Sequence, residues 1–211
     1  MILRQGNPFA DAPPPAEPEL SDIPDEVLGN EIILSGPASP DDLGVNPEWA
    51  PQETWPRSKV TDHRLLTIFG LHGGAGTSTV ASFFGEDAVD AGQGFPIAGG
   101  WIRPLPVLNV IAVARTHYVG LRAAEEFTQQ WAHGRLSESR LIGLVLVDDG
   151  PNLSSGQKRA VKRLLKKTPR GAHIPWREEW RHYGPSLDKL PLRIKRLTQV
   201  LRKAAQNEDG K

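Results

Sequence analysis

The sequence contains no cysteine, so neither a disulfide nor a thiolate-bound metal can hold it together, and a reducing compartment fits. No apolar run approaches the ~20 residues that a membrane-crossing helix needs. The opening residues, Met1 to Asn7, show no apolar signal-peptide core, which makes the cytoplasm the expected location. Histidines at metal-ligand spacing are missing too. His63, His72, His117, His133, His173 and His182 are scattered, no H-E-x-x-H occurs, and no metal site is expected from them. Basic residues are scarce at one end. From Met1 to Arg57 there are only Arg4 and Arg57 against 11 acids, a net −9 that leaves +9 for the rest of a chain whose total charge is zero. An acidic arm on a basic body points to self-association, as in a homodimer, or to an anionic partner for the body.

What is present divides the chain in three. Residues 1–58 are rich in proline (Pro13-Pro14-Pro15, Pro18, Pro24, Pro37, Pro40, Pro47, Pro51, Pro56), which removes backbone donors and blocks helices. They read as a mostly disordered, acidic arm suited to docking a protein partner. Ile32-Ile33-Leu34 is an apolar island within it that either adds an edge strand or docks on the body. Trp49 and Trp55 either pack the arm on the domain or anchor a partner. Residues 59–206 read as one domain, and 207–211 as a frayed polar tail.

Within the domain, Leu65, Leu66, Ile68 and Phe69 form a run the length of a buried strand. A glycine cluster follows (Gly70, Gly73, Gly74, Gly76), then Thr77, Ser78 and Thr79, then a helix expected over 77–91. Strand, glycine loop and hydroxyl-capped helix is the layout of a phosphate-binding loop, because glycines let the backbone approach an anion and free N–H groups face it. Gly73, Gly74, Ala75, Gly76, Thr77, Ser78 and Thr79 are its candidate phosphate-binding residues. A P-loop reads G-x-x-x-x-G-K-[ST]. Here Leu71 stands at its first glycine and Thr77 at its lysine.

Residues 92–106, with Gly92, Gly94, Pro96, Gly99, Gly100, Pro104 and Pro106, read as a long irregular segment. Val107–Ala114 and Leu141–Val147 are nearly continuous apolar runs, as expected of strands buried on both faces of a parallel sheet. A helix is expected over 118–133, ended by Gly134. Another, over 155–167, carries Lys158, Arg159, Lys162, Arg163, Lys166 and Lys167 on one half and Ala160, Val161, Leu164 and Leu165 on the other. Those six cations, with no acid interleaved on the helix, read either as a solvated face or as a surface for DNA phosphates. A short strand at Ala172–Ile174 and an amphipathic helix over 191–205 complete the chain. Alternating strands and helices imply an α/β fold, with a mostly parallel sheet of four or five strands and helices on both faces.

The loop resembles that of the ParA/MinD family of deviant P-loop ATPases, K-G-G-x-G-K-[ST]-[ST], and most of all the TadZ/CpaE branch, in which the lysine can be missing. His72 and Thr77 then stand at the family's two lysines. The resemblance implies a P-loop NTPase-like three-layer fold with a reduced sheet, and ATP with Mg²⁺ as ligand. It places Asp148 at a base-contacting position and Pro175 beside the adenine pocket. It also implies Mg²⁺-supporting aspartates after the first helix. No D-x-x-P-G occurs, and no acid lies between Asp90 and Val107, so those carboxylates are expected to be missing. Asp148 could bind Mg²⁺ only by lying beside Ser78, against the chain order, and Arg115 could supply the cation missing at Thr77. The leading expectation is a noncatalytic or weakly nucleotide-binding adaptor in positioning, partition, or assembly of a secretion or conjugation machine. An active ATPase with an atypical loop and a DNA-binding accessory protein are the alternatives.

Overall fold

The computed structural model describes residues 27–43, 55–100 and 104–207. The Pro13–Pro18 stretch, Trp49 and residues 208–211 lie outside them. Eight strands are present among the described residues: β1 (Ile33–Ser35), β2 (Arg57–Val60), β3 (Leu66–Gly70), β4 (Ala88–Gln93), β5 (Phe95–Ala98), β6 (Asn109–Arg115), β7 (Arg140–Val147) and β8 (Arg170–Ile174). The helices are α1 (Thr77–Ser82), α2 (Tyr118–Ala132), α3 (Ser155–Leu165), α4 (Glu179–Tyr183) and α5 (Leu192–Gln206).

The main sheet has six strands in the order β1-β8-β7-β6-β3-β4. Only β1 is antiparallel, pairing Ile33 with Ala172, so the apolar island does extend the sheet at its edge. The other five are parallel. The direction of winding reverses between β3 and β6: the chain leaves β3 towards β4 on one side and returns to β6 on the other. Open α/β sheets bind ligands at the carboxyl ends of the strands flanking such a switch point. β3 is buried along its whole length, as its apolar run requires, and lies second from the sheet edge.

Two elements differ from the sequence reading. The helix expected over 77–91 stops at Ser82, followed by a tight turn at Gly85–Asp87, and residues 88–93 are strand β4. Gly85 has φ +61°, a left-handed conformation that ends a helix and that L side chains resist. Phe83 and Phe84 are buried beside it and fix that turn to the sheet. Residues 92–106 are not wholly irregular either. β5 pairs in parallel with β2 in a second, two-stranded sheet, where edge position tolerates Pro96. The main sheet therefore exceeds the expected four or five strands, because the arm contributes β1 and the second half of the expected helix is β4.

Each face of the sheet carries its own core. α2 and α3 bring Phe127, Trp131, Val161 and Leu164 to one face, while α1 and α5 bring Val80, Ile194, Leu197 and Leu201 to the other. The arm joins the first core. Trp55 is buried, stands edge-on to Phe127 at 5.6 Å between centroids, and donates its backbone N–H to Gln130 at 2.6 Å. No helix of the described residues is long and apolar enough to cross a membrane.

Candidate functional site

The loop between β3 and α1 stands at the switch point. The Leu71 N–H donates to the Val113 carbonyl of β6 at 2.9 Å, and Val80 N–H to the Gly76 carbonyl at the same distance. Gly74 and Gly76 have φ +73° and +92°, so the turn demands glycine at both. Beside the loop is an open cavity of about 380 Å³, lined by His72, Gly74 to Thr79, Asp90, Gly92, Gln93 and Arg115. Six of the candidate phosphate-binding residues (Gly74, Ala75, Gly76, Thr77, Ser78, Thr79) thus line it. Gly73 belongs to the same loop, and a Cβ there would lie 3.3 Å from the Gln93 amide nitrogen. Asp148 and Pro175 are not in the lining.

A carboxylate does face the loop. Ser78 Oγ donates to Asp90 Oδ2 at 2.5 Å, and the other Asp90 oxygen accepts from the Gly92 N–H at 2.9 Å. The expectation that no acid supports the loop follows from placing Asp90 near the end of a helix. On β4, beside β3, it comes directly to Ser78.

His72 and Arg115 form the opposite side. His72 Nδ1 donates to the Gly73 carbonyl at 2.9 Å, and Nε2 accepts the Arg115 backbone N–H at 3.0 Å. The second bond needs a lone pair on Nε2, which puts the ring proton on Nδ1. His72 therefore ties the loop to β6. Its ring packs against His117, which caps α2 by accepting the Gly120 N–H at 3.1 Å. Gly120 must be glycine, since a Cβ would stand 2.1 Å from the Arg115 carbonyl oxygen and 2.8 Å from His72 Nε2. The Arg115 guanidinium donates through NH1 to the Asp148 carbonyl at 3.1 Å, and its buried Nε has no partner among the described residues.

Asp148 is turned inward. Its Oδ1 accepts from Thr116 Oγ1 at 3.2 Å and from His173 Nε2 at 2.9 Å, and its Oδ2 from the Trp176 N–H at 3.3 Å. Thr116 and His173 are fully buried and Asp148 is 7% exposed, so this acid holds the ends of β6, β7 and β8 together. Pro175 lies between two members of that network.

The charged face of α3 is partly neutralised. The helix begins with a Ser154–Gln157 capping box and buries Val161, Leu164 and Leu165. Glu125 of α2 takes Arg163 at 3.0 Å and Lys167 at 2.5 Å. Burial pushes the Glu125 carboxyl up, and the neighbouring Lys167 and Arg163 charges outweigh it, holding the group below the ordinary glutamate value. The acid missing from the helix itself thus comes from its neighbour. Arg159, Lys162 and Lys166 remain exposed, and Lys158 is half-buried. No group of three metal-ligating side chains occurs among the described residues.

No curated protein and no solved structure matches the chain. A family model does, over residues 65–198, from the residue before β3 into α5. That span holds the glycine loop, Asp90, Arg115 and the α3 face. Matched over well more than half its length, the chain belongs to the family described as "Family of unknown function (DUF6668)".

Proposed function

We propose that this chain is a ParA/MinD-like adaptor whose degenerate P-loop holds the phosphates of a nucleotide with Mg²⁺ and does not turn it over efficiently. The observation that carries this reading is the Ser78–Asp90 pair beside the glycine loop. A serine or threonine hydroxyl and an aspartate are the protein groups that support Mg²⁺ in P-loop NTPases. Mg²⁺ prefers hard oxygen donors, and both are present. When bound, the ion would neutralise phosphate charge. The glycines and Ser78 would hold the phosphates, and Asp90 would orient the Ser78 hydroxyl. Thr77, where the lysine is missing, supplies no charge to a developing transition state, which is the reason to expect little hydrolysis. The proline-rich acidic arm would dock the protein partner.

Calorimetry with ATP and ADP, with and without Mg²⁺, tests the site. Binding is expected with Mg²⁺ and no phosphate release above the blank. D90N should weaken Mg²⁺–ATP about tenfold, equivalent to about 1.4 kcal/mol, and abolish the difference that Mg²⁺ makes. Rapid turnover would instead favour the active ATPase. No binding by the unaltered protein would leave the loop as a structural turn.

A second reading rests on the exposed Arg159 and Lys162 of α3 and Lys166 at its C-cap, a surface for nucleic-acid phosphates. The triple variant R159E/K162E/K166E should lose DNA retention, and the log–log salt dependence should flatten by about 0.9 for each phosphate that the helix no longer neutralises. Unchanged retention rules this surface out.

A further inference from the structure

Resting on the nucleotide reading above, we infer that Arg115 supplies the positive charge that this loop lacks at Thr77, and that its Nε edge is a phosphate-binding group. Three observations converge. Arg115 is at the carboxyl end of β6, on the far side of the switch point from Ser78 and Asp90, and it lines the same cavity. Among the described residues of that lining it is the only permanent cation, since the hydrogen bonds of His72 leave that ring uncharged. Its guanidinium is fixed from one side only. NH1 donates to the Asp148 carbonyl, with the Asp149 carboxylate 3.9 Å away, while Nε is buried, unpartnered, and 3.8 Å from where a Cβ on Gly76 would lie.

A buried N–H of a charged group without an acceptor is disfavoured, and such an atom in a native fold calls for a partner. Its nearness to Gly76 places that partner beside the loop. Asp90 on the opposite wall then narrows its chemistry. A bare anion would be repelled by that carboxylate, whereas a phosphate carrying a divalent cation presents positive charge to Asp90 and negative charge to Arg115. The ligand class is therefore a Mg²⁺-complexed di- or triphosphate. α1 has only six residues and little dipole of its own to offer, so a side-chain cation carries more of the burden.

The test uses the whole chain and Mg²⁺–ADP and Mg²⁺–ATP as probes. R115Q is expected to bind both roughly 10- to 100-fold more weakly, as for loss of a charge-assisted bond. T77K placed in the R115Q background should return affinity to within a few-fold of the unaltered protein, which a merely structural role for Arg115 would not produce. In the unaltered protein, the NMR signal of the Arg115 Nε–H should move on saturation with Mg²⁺–ADP, a readout that survives if R115Q fails to fold. Binding by R115Q within twofold of the unaltered protein, failure of T77K to rescue, or an Nε–H signal indifferent to ligand each overturns the assignment and leaves the nucleotide reading in place. If the unaltered protein binds neither probe, it is the nucleotide reading that fails.

Discussion

Asp148→Ala is expected to cost about 3 kcal/mol of stability and to leave the affinity for Mg²⁺–ATP within twofold. The carboxylate accepts from two fully buried donors, Thr116 Oγ1 and His173 Nε2, and from the Trp176 N–H. Its removal strands those donors where water has little access, and each orphaned buried group costs roughly 1–3 kcal/mol. Taking the lower part of that range for two of them, with some relaxation, gives the figure. At a slope of about 2 kcal/mol per molar urea, the unfolding midpoint falls by about 1.5 M. D148N keeps one carbonyl acceptor and nearly the same volume, so it should lose about half as much. If D148A instead lost nucleotide affinity with an unchanged midpoint, Asp148 would be a ligand-contacting residue, as the family resemblance implies. The internal bonding of both its oxygens argues for the structural outcome.

The contrasting settings of Asp148 and Asp90, one bonded inward and one beside Ser78, show where sequence reasoning works on this chain. β3, β6, β7, α2, α3 and α5 are legible within a residue or three, because long apolar runs and helical periodicity are local properties. The glycine loop is legible for the same reason, since Gly74 and Gly76 are needed by the backbone itself. The stretch from Val80 to Ala91 misleads because Val80, Ala81, Phe83, Phe84, Ala88 and Ala91 also satisfy a helical period. The decisive signal there is one residue, Gly85, whose left-handed turn releases Ala88–Gln93 to pair with β3. Once that helix is assumed, Asp90 points nowhere useful and the loop looks stripped of its acid. Glu125 is hidden differently. It meets Arg163 and Lys167 only across two packed helices, so counting charges along α3 alone overstates the free face. Arg115 is legible as a candidate from its place after an apolar strand, but its unpartnered Nε is a fact of three dimensions.

Placing a lysine at position 77 is the sharpest test of the loop itself. Thr77 is the first residue of α1, lines the cavity beside Ser78, and sits so close to Gly70 that a Cβ on that glycine would stand 2.6 Å from its Oγ1. T77K puts a flexible ammonium where a P-loop places one, within reach of β and γ phosphates. A charge-assisted hydrogen bond is worth roughly 1.5–3 kcal/mol, so Mg²⁺–ATP should bind about 10- to 100-fold more tightly. The rate should also rise, because a donor aimed at transition-state charge is worth about 10²–10³ in turnover where it has been removed. The gain will fall short of that ceiling, since Leu71 still occupies the position of the first P-loop glycine and is itself buried. T77M has similar length and no charge, and should gain neither affinity nor rate. Equal behaviour of the two variants would mean that no phosphate lies beside Thr77. Tighter binding by T77K but not T77M, measured by calorimetry and phosphate release together, would mean that phosphates sit beside position 77 and that a second cation there adds to what Arg115 supplies.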